Sequence, residues 1–260
     1  MLPYPNINPD LIHIGPIKIR WYGIMYALGF LASYFLIKRQ RRARELGLQG
    51  AMLQNLIFYL AVGLVIGARL GYVLLYQYMD LGNYIRHPLE IFAVWHGGMS
   101  FHGGLTGALL AGILFCRRHH LPFWEVGDTV IVTAPIGLGL GRLGNFINGE
   151  LFGRPSNVPW AMIFPTGGPL PRHPSQLYEA ALEGVLLFTI LWKLKGRDYR
   201  PGSMVCLFLG GYGVMRFIAE FFRQPDQQIG LFWGILSMGQ ILCSVMILGA
   251  IILWLLLKAM

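Results

Sequence analysis

The sequence predicts an all-α integral membrane protein of seven transmembrane helices, with a periplasmic N-terminus and a cytoplasmic C-terminus. Three observations carry this. Of 260 residues, 55% are hydrophobic and only 13% charged, and the mean hydropathy is +0.54, far from the charge content of a soluble domain. Seven apolar runs approach the ~20 residues that a bilayer-spanning helix needs. Lys and Arg concentrate in alternate connections between them.

The runs are Trp21–Ile37, Asn55–Tyr78, Met99–Cys116, Val126–Phe146, Gln176–Leu194, Ser203–Phe222 and Ser237–Leu257. They make one polytopic domain over residues 1–260, with a proline-rich periplasmic loop at about 154–175. The fourth run is the weakest as a continuous helix, because Pro135 and six glycines from Gly137 to Gly153 interrupt it. Lys38, Arg39, Arg41, Arg42 and Arg44 follow the first span, Arg117 and Arg118 the third, Lys193, Lys195, Arg197 and Arg200 the fifth, and Lys258 closes the chain. The intervening connections are poorer in Lys and Arg, which fixes the predicted orientation. The first fifteen residues lack a basic n-region and a small-residue cleavage site, so the first span is expected to be retained. The net charge of +9 is read as a topology and lipid-contact signal, with Lys38–Gly50 against anionic head groups and no nucleic-acid partner. Cys116, Cys206 and Cys243 lack metal-ligand or redox spacing and are expected to be buried packing residues; no metal or cofactor is called for.

Polar residues inside these runs are costly, since hydrocarbon solvates none of them, and so they are functional candidates. At 1.5 Å per helical residue, Arg69 lies roughly 21 Å, Arg142 roughly 24 Å and Arg216 roughly 20 Å up a ~30 Å core from the cytoplasmic side. Tyr22, His102, Gln176, Glu179 and Glu183 fall in the same outer half. Spacing groups Tyr212, Arg216 and Glu220 on one helix face, with Arg223 beyond; Gln176, Glu179 and Glu183 on another; and Arg69, Tyr72 and Tyr76 on a third. Gly63, Gly67 and Gly71 mark the Arg69 helix as a close-packing face, so a structural role competes with a functional one there. Gly97, Gly98, Gly103, Gly104 and Gly107 are read mainly as helix-packing glycines. Around Arg142 and Arg216 the arginines outnumber their obvious carboxylate partners, which favours an anionic ligand.

Two other classes fit less well. A transporter would line a path with such charges, yet the two halves of the chain show no matching broken-helix pattern. An intramembrane protease would want a Ser–His pair or two intramembrane aspartates, and Ser100 is too near His102 in sequence to serve.

The segments His96 to Leu105 (HGGMSFHGGL), Gly141 to Glu150 (GRLGNFINGE), His173 to Glu179 (HPSQLYE) and Arg216 through Glu220 to Arg223-Gln224-Pro225-Asp226 resemble the bacterial phosphatidylglycerol:prolipoprotein diacylglyceryl transferases. The similarity runs from about Trp21 to Gln240. It implies a seven-helix inner-membrane enzyme, its active site facing the periplasmic leaflet. Such an enzyme moves the diacylglyceryl group of phosphatidylglycerol to the lipobox cysteine of a prolipoprotein signal peptide. A thioether forms and glycerol phosphate leaves, the first step of lipoprotein maturation. The resemblance places the phosphatidylglycerol-binding arginine at Arg142, a second essential arginine at Arg216, a functional histidine at His102 and functional tyrosines at Tyr22 and Tyr212. Asn145, Asn148, Glu150, Glu220 and Arg223 fall on further motif positions, expected to bind substrate. Arginine suits a phosphate because its planar fork binds two oxygens and stays charged. The thiol needs a base or a cationic environment to ionise near neutral pH; His102 as base and Arg216 as thiolate stabiliser both satisfy that need.

Overall fold

The computed structural model describes residues 2–5, 7–14, 17–93, 97–225, 230–232 and 235–259. His96 and Asp226, which belong to two of the motifs, lie outside them. The described chain is mostly helical and falls into two compact units, Met1–Arg39 with Gly127–Met260, and Gln40–Val126.

In the first unit, a short antiparallel hairpin of β1 (Asp10–Ile14) and β2 (Ile17–Arg20) leads directly into helix α1 (Trp21–Lys38). The second unit begins with the short α2 (Arg41–Glu45) and the long α3 (Gly50–Gly71), which runs on as a π-helical turn to Tyr76. Short turns flank α4 (Leu81–Arg86) before α5 (Phe101–Arg118). Ser100 caps α5, its hydroxyl accepting from the Gly103 N–H at 3.1 Å, so this buried serine satisfies a helix end rather than presenting a nucleophile.

The glycine stripes meet. A Cβ at Gly67 would lie 2.3 Å from the Gly103 carbonyl oxygen and 2.7 Å from Gly107 Cα, so α3 and α5 touch backbone to backbone as the small-residue spacing predicts. Gly97 and Gly98 correct the packing interpretation. They precede the helix with φ of 84° and 77°, and the Tyr72 ring lies where a Gly98 Cβ would stand.

The predicted fourth span is two helices, α6 (Phe123–Ile131) and α7 (Ala134–Ile147), bent by 44°. Pro135 is the cause, since it has no N–H for the Ile131 carbonyl and its ring crowds that group. Thr133 Oγ1 donates to the Val130 carbonyl at 2.8 Å in the break. The fifth predicted span is α8 (Ser175–Glu179), a π-helical stretch Ala180–Leu186 and α9 (Leu187–Leu194). The sixth and seventh are α10 (Ser203–Glu220) and α11 (Met238–Ala259), separated by the small antiparallel pair β3 (Leu231–Phe232) and β4 (Leu236–Ser237).

In the first unit α1 packs on α7, α7 on the Ser175–Leu194 run, and α10 on α11. At the middle contact, a Cβ on Gly184 would come within 2.8 Å of Gly139 Cα. Val132, Leu187, Leu191, Met204 and Met215 form one core cluster; Phe146, Met162 and Phe164 form a second beneath Tyr4. Asp128 fixes the start of α10, accepting from the N–H groups of Gly202 (2.7 Å) and Val205 (3.0 Å). All three cysteines are free and buried, as packing residues are. Three helical segments among the described residues (Gly50–Tyr76, Ser203–Glu220 and Met238–Ala259) are long and apolar enough to cross a bilayer, and the bent α6–α7 pair makes a fourth. The fold is that of an all-α membrane protein.

Candidate functional site

The first unit holds a buried knot of six charged side chains. Arg142 comes from α7, Glu179 and Glu183 from either side of the start of the π-helical stretch, Arg216 and Glu220 from one face of α10, and Arg223 from just beyond it. Glu179 Oε2 lies 2.8 Å from Arg142 Nε and 2.9 Å from Arg216 Nη1, while its Oε1 lies 3.6 Å from Arg223 Nη1. Glu183 is looser, 3.4 Å from Arg142 Nη2 and 3.7 Å from Arg216 Nη1. Glu220 pairs with Arg216 at 2.8 Å, at the i,i+4 spacing expected on α10. Glu179 and Glu183 are both fully buried.

Three guanidinium groups thus meet three carboxylates. The expectation that arginines outnumber their partners is corrected: Glu179 and Glu183 are far from Arg142 in sequence and reach it only through tertiary packing. Charge rather than aligned hydrogen bonding holds much of the knot together. Both oxygens of Glu179, Arg216 Nη1 and Arg223 Nη1 are sealed from solvent without an aligned hydrogen-bond partner. Unaligned buried groups of this kind call for an explanation, and a catalytic role is one such explanation.

Glu220 reaches away from the knot as well. Its Oε1 accepts from Ser237 Oγ at 3.1 Å, and Ser237 Oγ accepts from the Gln240 N–H at the start of α11. Glu220 therefore ties α10 to α11 through the same carboxylate that meets Arg216. Just after α7, Glu150 Oε1 accepts from Asn145 Nδ2 (2.9 Å) and Asn148 Nδ2 (3.0 Å). Gln176 Nε2 donates to the Glu150 backbone carbonyl at 2.7 Å. Chain reversal here uses positive φ at Gly149 (66°) and Leu151 (58°).

Tyr22 is half-buried in the first turn of α1, its hydroxyl 3.2 Å from that of Tyr26. Its ring packs on α7 where a Gly144 Cβ would stand 3.0 Å away, and it is within electrostatic range of Arg142 and Glu150. Tyr212 stacks on Phe208, within range of Arg142, Arg216 and Glu183. The structure therefore gathers Arg142, Arg216, Glu220, Arg223, Tyr22, Tyr212, Asn145, Asn148 and Glu150 around one region of the first unit. His102 belongs to the second unit, exposed in the first turn of α5, its ring edge-on to Phe101.

Arg69 is resolved in favour of structure. Its guanidinium donates to four backbone carbonyls, those of Glu90 (2.7 Å), Ile91 (2.9 Å), Gly97 (2.7 Å) and Gly98 (3.1 Å), and Tyr72 lies under it at 5.5 Å. The residues that sequence reasoning undervalued are Glu179 and Glu183. They appeared as a polar stripe without a role, although a carboxylate inside an apolar run was itself the signal.

The proline-rich segment is irregular, as predicted, and it is pinned down. Arg172 Nε donates to the Gly167 carbonyl and Arg154 Nε to that of Arg223, both at 2.9 Å. The Tyr178 hydroxyl accepts from Trp160 Nε1 at 2.6 Å and shares a 3.1 Å hydrogen bond with His173 Nδ1. Burial holds the His173 imidazole below its ordinary pKa.

Fold and site together define a helical membrane protein with a buried cluster of three arginines and three glutamates. The sequence model of the family described as prolipoprotein diacylglyceryl transferase matches residues 9–256, and the chain belongs to that family. It is similar to proteins named phosphatidylglycerol–prolipoprotein diacylglyceryl transferase. The one from Geobacter sulfurreducens is 51% identical over 247 residues, 95% of this chain and 94% of the relative. The one from Vibrio vulnificus is 53% identical over 254 residues, covering 97% and 92%. That from Pseudomonas aeruginosa is 51% identical over 254 residues, covering 97% and 94%.

Proposed function

We propose that this chain is a transferase that moves the diacylglyceryl group of phosphatidylglycerol to the lipobox cysteine thiol of a prolipoprotein signal peptide. The buried pairing of Arg142 and Arg216 through Glu179, within motifs that resemble those of the family, carries this reading. The chain acts as one polytopic domain of seven spans in the bacterial inner membrane, N-terminus periplasmic and C-terminus cytoplasmic, with the site in the periplasmic leaflet among membrane lipids. Alternating Lys and Arg loops support the orientation. Four helical segments that qualify as spans by length and composition, with the bent pair taken as one, support the membrane setting.

In the reaction the thiolate sulfur attacks the glycerol carbon that bears the phosphate. A C–S bond forms, the C–O bond to phosphorus breaks, and the electron pair leaves on glycerol phosphate, which gains a negative charge. Stabilising that charge is electrostatic work for pre-placed donors in a site shielded from water. Arg142 and Arg216 would bind the phosphate oxygens, and Tyr22 and Tyr212 would flank them. Asn145 and Asn148 hold Glu150, and Arg223 adds positive charge behind Glu179. His102 is proposed to take the thiol proton. The test is purified protein in detergent with phosphatidylglycerol and a lipobox peptide. Release of glycerol phosphate with lipidated peptide is expected. Movement of the lipid between leaflets without release would favour a transporter instead.

A further inference from the structure

We infer that Glu179 is a positioning residue, whose one carboxylate holds Arg142 and Arg216 side by side for an anionic substrate group; this rests on the transfer reading above. Two guanidinium groups brought together out of water repel each other unless a counter-charge sits between them. Glu179 Oε2 fills that place, within 2.9 Å of both, and its other oxygen faces Arg223.

The three carboxylates divide the work. Glu220 touches one arginine and anchors α11 through Ser237. Glu183 stands farther off, at 3.4 and 3.7 Å. Glu179 alone meets all three arginines.

Its own position is set from outside the knot. Ser175 Oγ donates to the Leu151 carbonyl at 3.1 Å and Gln176 Nε2 to that of Glu150 at 2.7 Å, which bolts the first turn of α8 to the segment following Asn145 and Asn148. Both side chains are buried. Arg142 meets Glu179 through Nε and Glu183 through Nη2.

Neutralising Glu179 should leave enough positive charge to attract the phosphodiester but should let the two arginines drift apart. Binding then survives while the transition state loses its alignment. Misplacement of a reacting group by about 1 Å can cost about a hundredfold in rate. Glu179→Gln is accordingly expected to lower kcat by about a hundredfold, with the KM for phosphatidylglycerol changed by no more than about threefold. Glu179→Asp, which keeps the charge, should recover part of the loss. Arg142→Lys should cost much less in the Glu179→Gln background than in the wild type, because both changes undo the same arrangement.

The measurements are glycerol phosphate release against phosphatidylglycerol concentration, with thermal unfolding in detergent as the control for folding. A wild type that releases no glycerol phosphate overturns the transfer reading and this inference with it. An active wild type with a normal Glu179→Gln variant, or a variant whose loss lies entirely in KM, overturns the role of Glu179 alone. If neither the Gln nor the Asp variant folds, Glu179 belongs to the fold and the inference is overturned.

Discussion

Arg69 Nη1 donates to the carbonyl of Gly97 at 2.7 Å across a loop of the second unit. With the Glu90, Ile91 and Gly98 carbonyls on the other N–H groups, one planar guanidinium is the template on which the entry to α5 is laid. The Ser100 N–H completes it by donating to the Ala68 carbonyl at 2.8 Å. His102 follows two residues later.

Replacing Arg69 by Lys keeps the charge but not the fork, and a single ammonium cannot meet four carbonyls spread around a plane. Hydrogen bonds to charged groups contribute about 1.5–3 kcal/mol each, so Arg69→Lys should destabilise the protein by about 3 kcal/mol. Thermal unfolding in detergent measures this. A variant as stable as the wild type would remove the structural role.

The α3–α5 pair was legible in the sequence because a four-residue glycine spacing marks one face of a helix regardless of its partner. What the spacing did not say was which stripe meets which; Gly67 against Gly103 and Gly139 against Gly184 are decided by tertiary packing. The break in the fourth span was visible as weakness at Pro135, whereas its angle depends on how α6 and α7 pack. The site was half legible. Arg142, Arg216 and Glu220 stood out as charges in apolar runs, but helical periodicity describes one helix at a time and so could not bring Glu179 to Arg142. The π-helical stretch beside Glu179 has no sequence signature of its own, since it differs from an α-helix by one inserted residue per turn.

The orientation has a direct check at two exposed positions, Asn157 in the proline-rich segment and Gln49 before α3. With the native cysteines buried, a cysteine placed at Asn157 should react with a membrane-impermeant maleimide on spheroplasts. One placed at Gln49 should react only after the membrane is opened. The reverse pattern would overturn both the proposed topology and the placement of the site in the periplasmic leaflet.

His102 separates thiol activation from lipid binding. An imidazole changes charge nearest physiological pH and so is suited to accept a thiol proton. His102→Gln should depress turnover while phosphatidylglycerol affinity stays nearly intact, and raising the pH should restore part of the rate as more thiol ionises. Loss of lipid affinity, or no recovery with pH, would move the activating role to Arg216 or another group.

His173 gives the segment beside the site an acid sensitivity. The Tyr178 hydroxyl accepts from Trp160, which leaves its own proton to donate to a neutral His173 Nδ1 across 3.1 Å. Burial disfavours the charged imidazole and lowers its pKa in the folded state. The unfolded chain therefore binds this proton more readily than the folded one. The contribution to stability is complete above the unfolded pKa of about 6.5 and is lost as the pH falls through that value toward the lower folded one. Thermal unfolding followed from pH 8 down to 5 should show a decline in the wild type below about pH 6.5. His173→Gln, which has no proton to gain, should be less stable near neutral pH and should flatten that part of the decline. An unchanged slope in the variant would assign the acid sensitivity to another group.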